Sequence, residues 1–132
     1  MQQAREFPGV VFAGGSCQLL ARVLGDDAEP LDPAQVVAAE YTIEQLAPGD
    51  PQAAEPVPGH DHVALTPGDV LFAALQTDAR WDLDTQGYNF RHAIPTASGE
   101  PFPQAECEYR ATYRLTTVSG TPIVIRFRLR AL

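Results

Sequence analysis

Residues 106–131 read ECEYRATYRLTTVSGTPIVIRFRLRA, and this stretch decides the fold class. Cys107, Tyr109, Ala111, Tyr113 and Leu115 share one parity, while Glu106, Glu108, Arg110, Thr112 and Arg114 share the other. After Ser119-Gly120-Thr121-Pro122 the alternation resumes, with Ile123, Ile125, Phe127 and Leu129 opposite Val124, Arg126, Arg128 and Arg130. Successive side chains of a strand point to opposite faces, so a period of two means one buried and one wetted face. Two such runs joined by a Gly-containing turn predict an antiparallel hairpin, with strands near 105–116 and 122–131.

Weaker copies of the pattern lie upstream. Cys17, Leu19, Ala21 and Val23 alternate with Gln18 and Arg22, and Val37, Ala39, Tyr41 and Ile43 alternate with Glu40, Thr42 and Glu44. Tyr88, Phe90, His92 and Ile94 alternate with Asn89, Arg91 and Ala93. Each run predicts a half-buried strand. Residues 1–16, with Phe7-Pro8-Gly9-Val10-Val11-Phe12 and Gly14-Gly15, read as an N-terminal arm or edge strand, leaving 17–132 as a single domain. Residues 47–59 are dense in Pro, Gly and acids, which predicts a long exposed loop without a regular ladder. Thr66-Pro67-Gly68-Asp69 ahead of Val70, Leu71, Ala74 and Leu75 predicts one short helix near 66–75. The expected core comprises Leu19, Val23, Tyr41, Ile43, Leu71, Leu75, Trp81, Phe90, Tyr109, Tyr113, Ile125 and Phe127.

The 132 residues suffice for one domain with one core. The formal net charge is −8 and no lysine occurs, so every permanent cation is an arginine. An acidic balance disfavours nucleic acid as a partner. Residues 1–84 hold fourteen acids against Arg5, Arg22 and Arg80, whereas residues 85–132 hold six arginines against Glu100, Glu106 and Glu108. An acidic part and a basic part on one small body suit head-to-tail docking between copies. No apolar run approaches the roughly 18 residues that a membrane helix needs, and residues 1–15 lack the pattern of an export signal.

No catalytic signature appears, and no cofactor is implied. His60-Asp61-His62 offers two imidazoles and a carboxylate, but further zinc ligands at a set spacing are missing, so both histidines are expected on the surface. His92, on an apolar parity, is expected to be a hydrogen-bonded core histidine. Asp78, Asp82 and Asp84 lack calcium-loop spacing and read as a solvated connection beneath Trp81. Cys17 and Cys107 match no metal or redox motif and are expected to be free thiols. Both lie on inward parities, so the alternative is an intersheet disulfide as in antibody domains. Against it, Trp81 lies far from where the tryptophan of such a domain would follow the first cysteine. Tyr109 follows Cys107, whereas a tyrosine corner would place the tyrosine two residues before the cysteine. The candidate contact surface is the row Arg110, Arg114, Arg126, Arg128 and Arg130. It reads either as a protein-binding surface or as a solvated face whose arginines pair with Glu106 and Glu108.

A strand, an acidic turn with Pro30-Leu31, a strand ending in Tyr41-Thr42-Ile43, then Gly87-Tyr88-Asn89-Phe90, Ile94-Pro95 and Tyr109-Arg110-Ala111-Thr112-Tyr113 before a closing Ile-Val-Ile-Arg-Phe strand follow in order. This order resembles immunoglobulin-like sandwich domains of tailed-phage structural proteins, including tail, baseplate and head-associated modules. The resemblance implies a mainly β, immunoglobulin-like antiparallel sandwich in a non-enzymatic virion or virion-like assembly protein. Its partners would be other structural subunits or copies of itself, in the virion or a cytoplasmic assembly intermediate, with neither nucleic acid nor membrane. The alternative is a bacterial binding or adhesion module that recognises protein or carbohydrate through its loops.

Overall fold

The computed structural model describes residues 5–25, 27–81, 84–97 and 99–132. Its elements in chain order are β1 (Arg5–Val11), β2 (Gln18–Ala21), a 3-10 turn (Pro33–Gln35), β3 (Val36–Ala47), β4 (Asp50–Pro56), β5 (Val63–Leu65), α1 (Pro67–Val70), β6 (Leu71–Gln76), β7 (Tyr88–Ala93), β8 (Glu108–Thr117) and β9 (Pro122–Ala131). The larger sheet runs β1-β9-β8-β3-β4, with β5 also on β3, and the smaller runs β2-β7-β6. The two sheets pack face to face as a mainly β sandwich.

The expected hairpin is present, with Arg110 opposite Arg128, Thr112 opposite Arg126 and Tyr113 opposite Ile125. Its inner residues Tyr109, Ala111, Tyr113, Leu115, Ile123, Ile125, Phe127 and Leu129 are all buried. β3 joins the other side of β8, placing Tyr41 opposite Tyr113 and Ile43 opposite Ala111. From the smaller sheet Leu19, Ala21, Leu71, Phe90 and His92 close the core. Burial of the large apolar side chains on both inner faces is the main favourable contribution, each worth roughly 1.5–3 kcal/mol.

Three expectations need correction. The helix stops at Val70, because Leu71 is already extended and begins β6, pairing with Phe90. Thr66 makes no side-chain cap bond, so only a single turn forms. Residues 47–59 are not a plain loop, since Asp50–Pro56 pairs with β3 through Glu44↔Pro56, Gln45↔Glu55 and Leu46↔Ala54. A strand at a sheet edge bonds on one side only, so it tolerates prolines that a central strand would not. Leu75 and Trp81, expected in the core, are only half-buried.

The N-terminal segment is an edge strand running parallel to β9, from Arg5↔Ile125 to Val11↔Ala131. It continues through Ala13 N–H to Leu132 O at 3.0 Å and Gly14 N–H to Phe102 O at 2.9 Å. Polar links between loops and sheets supplement the apolar core. Asn89, fully buried, accepts from the Val23 amide at 2.7 Å and donates to the Val23 and Leu31 carbonyls at 2.9 and 3.2 Å. The Tyr109 hydroxyl receives the Gln104 amide at 2.8 Å and donates to the Gln104 carbonyl at 3.3 Å, tying the loop before β8 to that strand.

Neighbours on β9 should therefore respond oppositely to substitution. Phe127→Asp places a carboxylate in the core and should abolish cooperative folding, and Phe127→Ala should cost about 3–5 kcal/mol. Arg128→Ala, on the wetted face, should cost no more than about 1 kcal/mol. Urea denaturation of the three variants checks the pattern; equal losses for Ala at 127 and at 128 would refute the assigned facing.

Candidate functional site

The five candidate arginines do lie on the outer face of the hairpin, but the face is mixed rather than basic. Cross-strand register sets Glu44, Arg110 and Arg128 in one row, Thr42, Thr112 and Arg126 in the next, and Glu40, Arg114 and Val124 beyond. Arg110 pairs with Glu44 at 3.2 Å and Arg128 donates from Nε to Glu108 at 2.7 Å. Glu44 thus does what Glu106 was expected to do, because Glu106 sits just before β8 in a left-handed turn. Arg110 Nε and Arg126 Nε are buried without an acceptor. Arg114 and Arg130 are exposed and form no ion pair among the described residues.

The large apolar side chains left in water are more informative. Among the described residues they are Val10, Phe12, Leu24, Val37, Val118 and Leu132. They fall into two groups. Val10, Phe12 and Leu132 sit where β9 ends, held together by Leu132 N–H to Val11 O at 2.9 Å and next to Arg130, which is opposite Val10 in the register. Leu24, Val37 and Val118 sit where β9 begins: Val118 donates to the Gln35 carbonyl, and Leu24 bridges to Pro30. Val118 of this second group also lines a groove of about 260 Å³, together with Asp27, Leu31, Thr117, Thr121 and Ile123, among others. Asp27 and Glu29 are exposed there.

Inside the sandwich lies a polar cluster only partly legible in the sequence. His60 is fully buried, correcting its expected surface placement. Its Nε2 lies 2.9 Å from the Gly99 carbonyl, which only accepts, so Nε2 carries the proton and Nδ1 accepts from the Tyr41 hydroxyl at 2.8 Å. His62 is exposed and in the left-handed region at φ 51°, so the two imidazoles do not share a face. His62 stands instead near Glu40 and Asp61. No group of three His, Cys, Asp or Glu side chains suited to a metal occurs among the described residues.

His92 is buried as expected, its Nδ1 hydrogen-bonded to the Tyr113 hydroxyl at 2.6 Å. Burial, and secondarily the nearby His60, lowers its pKa to about 4. Burial likewise raises the Cys17 thiol to about 11 and holds Tyr113 well above the usual phenol range. Cys17 and Cys107 are both free and partly buried. Asp84 binds Arg22 at 2.8 Å and accepts from Trp81 Nε1 at 3.1 Å, and Asp78 accepts from the Tyr88 hydroxyl at 2.8 Å. The Arg22 guanidinium, then the Trp81 indole, hold Asp84 down at about 2. These two carboxylates are consumed by internal bonds; Asp82 lies outside the described residues.

His92 makes stability depend on pH with a definite sign. Its folded pKa, about 4, lies below the ordinary 6.5, so the unfolded chain binds more protons between those values. Its contribution is complete above pH 6.5 and should decline by about 3 kcal/mol as pH falls to 4, at roughly 1.4 kcal/mol per unit. Urea midpoints measured from pH 7 to 4 should show this slope, and His92→Gln should flatten it. An unchanged slope in the variant would assign the effect to other groups.

No helix among the described residues is long and apolar enough to cross a membrane. Compared with protein-family models, curated proteins and solved structures, the chain matches none significantly, so its function is read from its own surfaces.

Proposed function

We propose that this chain is a non-enzymatic structural subunit that works by contacting neighbouring protein subunits, in the manner of phage virion components. The observation that carries the reading is the gathering of the exposed large apolar side chains at the two ends of β9, with Arg130 beside one group and Asp27 and Glu29 beside the other. Exposed apolar clusters rimmed by charge are surfaces that proteins use for association. His60 and His92 are bonded to the buried Tyr41 and Tyr113 hydroxyls and to the Gly99 carbonyl, which suits a structural role.

The strand arrangement supports the immunoglobulin-like side of the reading. An edge strand beside the last strand, three central strands β9-β8-β3, a further strand β4, and β2-β7-β6 facing them are compatible with a variable-type immunoglobulin sandwich. The Tyr109 hydroxyl reaching back to Gln104 at the start of β8 has the geometry of a tyrosine corner, although Cys107 stands two residues before it rather than after. The virion assignment itself comes from the sequence resemblance.

Light scattering coupled to size exclusion, run across protein and salt concentrations, tests the proposal. The mass should rise with protein concentration and fall with salt, as contacts between opposite charges require. A mass of one chain under every condition would count decisively against self-assembly. The groove between the 25–35 segment and the β8–β9 turn favours a second reading, a binding module using loops at one end of the sandwich. A glycan and peptide array that stays blank would remove that alternative.

A further inference from the structure

We infer that the partner is a second copy of this chain, docked head to tail, with the Phe12 end of one copy seated in the Val118 groove of the next. This rests on the assembly reading above and specifies its contact. Among the described residues Phe12 is the most exposed large apolar side chain at 72%, with Val10 at 64% and Leu132 at 52% beside it, so the group forms a knob. The opposite end provides the concave counterpart, a groove of about 260 Å³ whose apolar lining includes Leu31, Val118 and Ile123.

The charges match in the same sense. Arg130 is opposite Val10 at the knob and lacks an ion pair among the described residues. At the groove, Asp27 and Glu29 are exposed, and among the described residues Asp27 accepts from the Glu29 amide, at 3.1 Å, and forms no ion pair. The nearest arginine in sequence, Arg22, is already committed to Asp84. A knob and groove on one chain cannot both be filled by a two-fold pair that buries one knob against another. A repeated head-to-tail contact fills both on every interior copy and grows into a ring or a filament, whereas a two-fold pair that exchanged knobs would stop at a mass of two chains. The two sites lie at opposite ends of a ten-residue strand, roughly 30 Å apart at about 3.3 Å per residue, so one copy can engage two neighbours at once.

Complementation between two variants tests the inference. Phe12→Asp removes the knob and Val118→Asp blocks the groove, and both positions are exposed, so thermal melting should show both variants folded. Each variant alone should self-associate at least about tenfold more weakly than wild type, the scale of losing a central aromatic contact. Mixed, they should form a 1:1 pair with a mass of two chains and nothing larger, because only one functional knob and one functional groove remain. Arg130→Glu should weaken wild-type association, and Asp27→Arg in the partner copy should restore it.

If the folded variants associate like wild type, the contact lies elsewhere while the assembly reading stands. If each variant is monomeric and the mixture yields no pair, the contact is not head to tail. A wild-type chain that stays monomeric at every concentration overturns both this inference and the self-assembly it rests on.

Discussion

The buried hydroxyl of Tyr113 is the constraint around which the two sheets are arranged. It sits on β8 in the centre of the larger sheet, is wholly excluded from water, and must therefore find a hydrogen-bond partner inside the protein. His92, on β7 of the facing sheet, supplies it at 2.6 Å. That one bond sets the register between the sheets where they are in closest aromatic contact. The Tyr113 ring meets Phe90 edge-on at 4.9 Å, Phe127 edge-on at 5.8 Å and Tyr41 stacked at 5.7 Å. Tyr41 in turn bonds to His60, and His60 to the Gly99 carbonyl, so ring stacking followed by two hydrogen bonds connects the middle of the core to two loops. An apolar core of the same size would pack with less specificity, since each hydrogen bond here is satisfied in one arrangement only.

The parts of this arrangement legible in the sequence are those where a strand has one wet face. Tyr109 to Leu115, Ile123 to Leu129 and Tyr41 to Ile43 alternate because water and core impose opposite demands on neighbouring residues, and His92 was placed by parity alone. Parity failed at Asn89, which shares the pattern of an outward residue yet is fully buried. Its amide substitutes for a missing strand partner by bonding the backbone at Val23 and Leu31. A single polar residue in an alternating run carries no mark that distinguishes solvent from backbone as its partner.

The elements that escaped lie where local signals are real but their extent is set by tertiary contacts. Thr66-Pro67-Gly68-Asp69 starts a helical turn, but a start signal says nothing about length, and pairing of Leu71 with Phe90 ends it at once. Prolines at both ends of 50–56 argued against a ladder, and β4 forms because only its β3 side has to bond. His60 and Phe102 have no periodicity to report them, because both are buried in irregular connections outside any strand. Gly87 shows the same dependence on context: at φ 94° it lets the chain pass so close that a Cβ would fall 2.2 Å from the Gln76 carbonyl oxygen. Strand parity puts the arginine row on the outer face of the hairpin, but Glu40 and Glu44 come from a strand distant in sequence, so its balance of charge is not visible within the hairpin.

The same physics separates two ways in which this sheet could meet a neighbour. β1 is an edge, and exposed edges invite strand addition. Val11 O and Ala13 N–H bond to Leu132, so odd-numbered residues of this strand turn their backbone toward β9 and even-numbered residues turn theirs toward the free edge. Pro8 therefore falls on the free side, where it removes a donor that an incoming strand would require. On the outer face, Glu44 and Glu108 pair with Arg110 and Arg128, so acids interrupt the arginine row and the flat of the sheet is not a uniform basic surface. Edge and face are thus both blunted, whereas the two ends keep apolar side chains in water beside charges of opposite sign. Association through side chains at the ends is the route that this distribution leaves open.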